Sequence, residues 1–277
     1  RNNWKEMKKI TLVPIAGLCN RLNAIRSAIG LKRKYPDYHI AIHWPKDPDC
    51  FARFSELFEP ISDEYLQGME FNELQSLLLV PPSRRNLKLT TYLRKPFFDG
   101  EYLGSKISNN SIEDLLDKQP NLYIYSDNRF CRYWDETRLG GVFVPIAPIR
   151  HSISKITEQF STYTVGVHIR RTDNVMAIKE SPIEKFLDMM NREIATFEDT
   201  KFYVASDSSD VLDFLREKYG DRIITGSWEL SRKTVKGMQD AVAELYCLGA
   251  TCKIIGSKGS TYSSMASMIN GIPLVVD

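Results

Sequence analysis

The run Thr164-Val165-Gly166-Val167-His168-Ile169 passes without a break into Arg170-Arg171-Thr172-Asp173. A short apolar segment rich in valine and isoleucine reads as a buried strand, and here its tip carries two guanidiniums and a carboxylate. Alternation along a strand puts His168 and Arg170 on one side and Arg171 and Asp173 on the other. The ordinary reading of these charges is an Arg–Asp bridge in a loop. The functional reading is an anion site, because a planar guanidinium donates two parallel hydrogen bonds to a phosphate.

Working outward, the second half of the chain repeats one pattern. Strands are expected over 164–169, 201–206, 222–225, 253–256 and 273–276, with helices over 183–195, 210–219, 235–248 and 261–269 between them. Short apolar strands alternating with amphipathic helices predict a parallel sheet covered on both faces. Ligands of such sheets sit beyond the C-terminal ends of the strands. The segments that follow the strands are polar: 168–173, 207–209, 226–228 and 257–261. Gly256-Ser257-Lys258-Gly259-Ser260-Thr261 leads from a strand into a helix, where free N–H groups and hydroxyls can cradle an anion. Ser and Thr are also the favoured helix caps, so plain capping competes with that reading. The spacing is not that of a Walker loop.

The first half opens as strand 10–14, a tight loop Gly17-Leu18-Cys19-Asn20-Arg21, helix 22–35 and strand 39–44. That loop is expected to present Asn20 and Arg21 to an interdomain cleft, against the simpler reading of a capped turn. From 47 to 144 the pattern breaks into short pieces, with helical turns expected near 51–58 and 112–116. Pro145 and Pro148, just before an expected helix over 151–160, mark a candidate connection. Two α/β domains are therefore expected, 1–150 and 151–277.

Composition narrows the function classes. The 277 residues are 43% hydrophobic and 26% charged, which fits a soluble globular chain large enough for two cores. The 37 basic and 35 acidic residues leave a net charge of +2, which offers no global attraction to nucleic acid or an anionic membrane, so any anion site must be local. Five cysteines without a C-x-x-C pair argue against a disulfide framework or structural zinc. The only D-x-D, Asp47-Pro48-Asp49, reads as a solvated turn, and no metal site is expected. No apolar run approaches the ~20 residues of a membrane span, and no export signal is expected at the start. A cytoplasmic location follows as the expectation, with peripheral attachment to a membrane left open.

Val165-Gly166-Val167-His168-Ile169-Arg170-Arg171-Thr172-Asp173 resembles the H-x-R-x-x-D motif of the fucosyltransferase superfamily that contains the α1,6-fucosyltransferases, the nodulation fucosyltransferases and the protein O-fucosyltransferases. Tyr203-Val204-Ala205-Ser206-Asp207 resembles its second motif, and the segment from Glu244 to Thr261 its third. The resemblance covers the second half, with Gly17 to Arg21 the main match in the first. It implies a GT-B fold, two Rossmann-like domains facing a cleft, and inverting, metal-independent transfer of fucose from GDP-fucose to an oligosaccharide or glycoconjugate, with no cofactor.

In that scheme Arg170 binds the β-phosphate, where a cation stabilises charge building up on departing GDP. Arg171 is the second guanidinium available to the nucleotide, and Ser260 and Thr261 donate to phosphate oxygens. His168 and Glu244 contact guanine, Glu244 replacing the family's Asp with one more methylene. Asp173 and Asp207 orient the arginines, although Asp207 also suits a helix N-cap. Glu180 is the candidate base, two residues further from the motif than the family pattern places it, and the family's Lys after the motif is Asn174 here. Glu180 also suits an idle helix start. Transfer from another GDP-sugar such as GDP-mannose, or a catalytically silent binding module of the same fold, are the competing readings.

Overall fold

The computed structural model describes residues 7–73, 76–82, 89–107, 111–134, 138–171, 181–229 and 231–276. The chain divides into two compact units, one of Arg1–Glu56, Pro60–Thr137 and Arg232–Thr234, the other of Leu57–Glu59, Arg138–Ser231 and Val235–Asp277. The proline-flanked segment thus lies inside the second unit. Its helix covers Ala147–Thr157, with Pro148 in the first turn, where a missing N–H costs nothing.

The first unit contains β1 (Lys9–Pro14), α1 (Leu18–Lys34), β2 (His39–His43), α2 (Asp63–Leu66), β3 (Glu70–Asn72), α3 (Leu89–Arg94), β4 (Gly100–Leu103), α4 (Gly104–Ile107), α5 (Ile112–Lys118) and β5 (Asn121–Ser126). Its sheet runs β3-β2-β1-β5-β4, and every pairing is parallel. The central β1 pairs Lys9 with both His39 and Asn121.

The expected loop over Gly17 to Arg21 is corrected here. Gly17 is the N-cap and Leu18 already begins α1, because Ala16 alone takes the left-handed turn, at φ 64°, and nothing after Gly17 breaks a helix. The helix is buried along almost its whole length, Arg21, Asn23 and Arg26 included, so its sequence lacks a clean polar face. Gly30 is needed for that burial: a Cβ there would lie 2.6 Å from the Trp134 backbone nitrogen.

The second unit contains α6 (Leu139–Val142), α7 (Ala147–Thr157), β6 (Thr164–Ile169), α8 (Ile183–Thr196), β7 (Lys201–Ser206), α9 (Ser209–Tyr219), β8 (Ile223–Ile224), α10 (Val235–Gly249), β9 (Lys253–Gly256), α11 (Thr261–Asn270) and β10 (Leu274–Val275). The sheet order is β10-β9-β6-β7-β8, again parallel throughout, with β6 in the middle and all six of its residues buried. Val165, Val167 and Ile169 pack with Phe186 and Met190 of α8, Phe202 and Val204 of β7, and Ile255 of β9. On the other face Gly166 allows α10 to come close, since a Cβ would sit 2.8 Å from Thr251 Oγ1 and 3.2 Å from Leu248 Cδ2. Two parallel five-stranded sheets with helical crossovers are the α/β architecture that the strand and helix pattern predicts.

Candidate functional site

Parallel pairing brings the C-terminal tips of β6, β7 and β9 onto one rim of the second sheet. His168 is paired with Ala205 on one side and Gly256 on the other, so the residues that follow each strand emerge as neighbours. Short polar contacts fix them there. Ser257 N and Oγ both donate to His168 O at 3.2 Å, and Ser257 Oγ accepts from Arg170 N at 3.1 Å. Arg170 is therefore held by its backbone at the tip of the central strand, partly buried.

Asp207 does a different job from the N-cap its sequence position allows. Its Oδ1 accepts from Arg171 N at 2.6 Å, tying the end of β6 to the end of β7, while Ser208 takes the N-cap position of α9. Lys258 N donates to Ser181 Oγ at 3.0 Å, so the chain is pinned to this rim both at Arg171 and at Ser181. Asp173 and Glu180 fall between those two points and lie outside the described residues.

Ser260 is the N-cap residue of α11, yet its side chain makes no capping bond. Its Oγ is buried, on a residue 5% exposed, and has no hydrogen-bond partner. A buried hydroxyl without a partner costs about 1–3 kcal/mol, so this one fits an external acceptor. Thr261 is the first residue of the helix and partly exposed, and Gly259, at φ 69°, makes the tight turn that delivers both. Arg171 Nη2 is a second buried donor without a partner.

Behind this rim lies a layer of four side chains. The His168 ring lies against Tyr262, centroids 5.0 Å apart at 34°, and His168 Nδ1 is 2.7 Å from Ser263 Oγ. Burial, then the nearby Arg170 charge, pushes the His168 pKa down to about 4, so the imidazole is neutral at pH 7. Tyr262 Oη donates to Ala241 O at 2.8 Å and lies within hydrogen-bond distance of Glu244 Oε2, at 3.1 Å. Burial pushes the Glu244 carboxyl up to about 8, against the opposing effect of the Tyr262 bond. His168 and Glu244, 76 residues apart in the sequence, are thus joined through Tyr262. Sequence reasoning placed Ser257 in the strand-to-helix cluster without its role as a backbone tie, and gave no role to Tyr262, Ser263 and Ser181. The only signal was their clustering at a strand-to-helix turn and a helix start, which ordinary capping explains equally well.

Asn20 and Arg21 belong to the first unit. Asn20 is partly exposed on the first turn of α1. Arg21 is wholly buried: Nε donates to Ala16 O at 2.7 Å, Nη1 to Pro45 O, and Nη2 to Asp47 Oδ1 at 2.7 Å. Asp47 Oδ1 also accepts from Asp49 N at 2.9 Å, so the D-x-D turn is a counter-ion platform for Arg21 as well as a turn. The same unit holds a cavity of ≈ 140 Å³ lined by residues that include Val13, His43, Trp44, Leu79, Val80 and Pro81. His43 Nδ1 has no partner there, and burial lowers the His43 pKa. Among the described residues no group of three or more His, Cys, Asp or Glu side chains is placed to hold a metal ion, and no helix is long and apolar enough to cross a membrane.

The sequence matches no family model and no curated protein. Solved structures do match across nearly the whole chain. The fucosyltransferase NodZ from Bradyrhizobium aligns over 94% of this chain and 92% of its own, with TM-score 0.63 and 17% identity. POFUT1 in complex with GDP aligns over 98% of each chain, with TM-score 0.63 and 13% identity. NodZ α1,6-fucosyltransferase soaked with GDP-fucose aligns over 95% and 92%, with TM-score 0.60 and 16% identity. The fold is that of the GT-B fucosyltransferases. Both sheets of this chain have the parallel five-stranded form, and His168, Arg170, Arg171 and Asp207 lie at the strand-tip rim of the second, with Glu244 on α10 behind it and Asn20 and Arg21 in the first unit.

Proposed function

We propose that this chain transfers fucose from GDP-fucose to a carbohydrate acceptor, with inversion and without a metal ion. The observation that carries the reading is Ser260: a buried N-cap hydroxyl with no partner, on the strand tip next to the one that bears Arg170. A helix N-terminus with such a donor suits a phosphate. Structures of this fold solved with GDP-fucose or GDP add support at the level of the fold.

In this reading Ser260, Thr261 and Arg171 grip the diphosphate and Arg170 neutralises the charge that builds up as GDP leaves, the work a divalent cation does elsewhere. Glu244 accepts from guanine N1–H and the exocyclic amine, and neutral His168, tilted against Tyr262, sets the depth of the base. Asp173 orients the arginines, and Glu180 takes the proton of the attacking acceptor hydroxyl. The test is turnover of purified protein with GDP-fucose and GDP-mannose on a panel of oligosaccharides, with and without EDTA. GDP-fucose turnover insensitive to EDTA is expected, with Glu180→Gln lowering kcat at least ~100-fold at unchanged GDP affinity. Preference for GDP-mannose, a strict Mn²⁺ requirement, or GDP binding with no turnover would each reject the corresponding part of the proposal.

The raised Glu244 pKa gives a pH signature. Only the carboxylate can accept both guanine protons, and below about 8 the free protein holds mostly the acid. GDP affinity is expected to rise nearly tenfold per pH unit between about pH 6 and 8 and then level off. Stability of the ligand-free protein moves the other way. The unfolded carboxyl loses its proton at its ordinary pKa while the folded one keeps it to about 8, so stability is highest below the former and falls as pH rises to the latter. Isothermal titration with GDP from pH 6 to 9 checks this, and Glu244→Gln should bind weakly with a flat profile. A flat profile for the parent protein would remove Glu244 from the base site.

A further inference from the structure

The first unit contains a helix built inside out. In α3 the buried residues are Thr90 and Arg94, whereas Leu89, Tyr92 and Leu93 are exposed at 60%, 64% and 39%. A helix on an ordinary surface turns its apolar side chains inward. Here Arg94 points in because its guanidinium is fully spoken for: Nη1 donates to Leu78 O at 2.8 Å and Val80 O at 2.7 Å, and Nη2 to Glu101 Oε1 at 2.7 Å. Those bonds join α3 to the turn Leu77–Leu79, which contributes another exposed side chain, Leu77 at 71%. Phe97, just past the helix, is 57% exposed. Five large apolar side chains within 21 residues therefore face solvent beside a buried, fully bonded Arg94. Exposed apolar clusters of this kind mark interaction surfaces.

Charge indicates the partner. From Leu74 to Phe98 the sequence has five Lys or Arg residues and no Asp or Glu, in a chain whose total is only +2; Arg84, Arg85 and Lys88 lie outside the described residues. Arg94 is consumed by Glu101, and Lys95 lies over the Tyr92 ring at 4.9 Å, a cation beside an amphipathic aromatic. Tyr, Phe and Leu to enter the headgroup boundary, with Lys to meet anionic headgroups, is the make-up of an interfacial membrane anchor. We propose that Leu77, Leu89, Tyr92, Leu93 and Phe97 form a surface by which this protein docks peripherally on an anionic lipid bilayer. The proposal is independent of the sugar-transfer reading.

Cosedimentation of the full chain with vesicles tests it. Binding is expected to vesicles of phosphatidylcholine mixed with phosphatidylglycerol, weaker binding to phosphatidylcholine alone, and loss of the difference in high salt. The double variant Tyr92→Ser/Phe97→Ser should bind about tenfold or more weakly, and Lys95→Glu should lose part of the anionic preference. Both aromatic side chains are more than half exposed, so the thermal midpoint of the double variant should match the parent and separate docking from misfolding. Failure to sediment with anionic vesicles overturns the proposal. So does a concentration-dependent dimer abolished by the same substitutions without any vesicle binding, which would make a second copy the occupant.

Discussion

Replacing Arg170 with alanine is expected to lower the rate of the proposed fucose transfer by about 10³-fold, with a smaller loss of GDP affinity. The reasoning rests on where the side chain starts. Ser257 Oγ holds its backbone nitrogen at 3.1 Å, and the flanking backbone is fixed two residues before by Ser257 to His168 O and one residue after by Asp207 to Arg171 N. A guanidinium on so constrained a stem is organised before the substrate arrives, which is what makes an electrostatic group effective in a transition state. Arg170→Lys keeps the charge but not the planar fork, so it should recover only part of the rate. Initial-rate measurements of GDP release with saturating GDP-fucose read the effect. Transfer by the alanine variant within a few-fold of the parent would end the phosphate role.

The second large effect is on stability and lies in the other unit. Asp47→Ala should destabilise the protein by about 2–4 kcal/mol, a figure set below that of a fully buried pair because the Asp47 side chain is 33% exposed while Arg21 is fully buried. Alanine would leave the enclosed Arg21 guanidinium without its counter-ion and release the turn at Asp49 N. A fall in thermal midpoint of roughly 5–10 °C is expected. Asp47→Asn, which keeps an acceptor oxygen, should fall less. An unchanged midpoint in the alanine variant would show that the pair contributes nothing.

The sequence reads most clearly where a single physical rule dominates. Strands β6, β7 and β9 end where their apolar runs end, because all three are buried on both faces and a polar residue marks the exit. The start of α1 was misread because polar Asn20 and Arg21 look like a loop, whereas Arg21 is buried through partners at Pro45 and Asp47 that local pattern cannot foresee. Between residues 47 and 144 the elements are too short to show a period: β3 has three residues and α2 and α4 have four each. At the site, residue types at strand tips were legible. The link from His168 through Tyr262 to Glu244 was not, since it depends on how α10 and α11 pack.

The pins at Arg171 and Ser181 divide labour along the chain. Both moorings are made by groups outside the segment they bracket, by Asp207 at one end and by Ser181 with Lys258 at the other, so neither bond depends on the identity of a side chain between them.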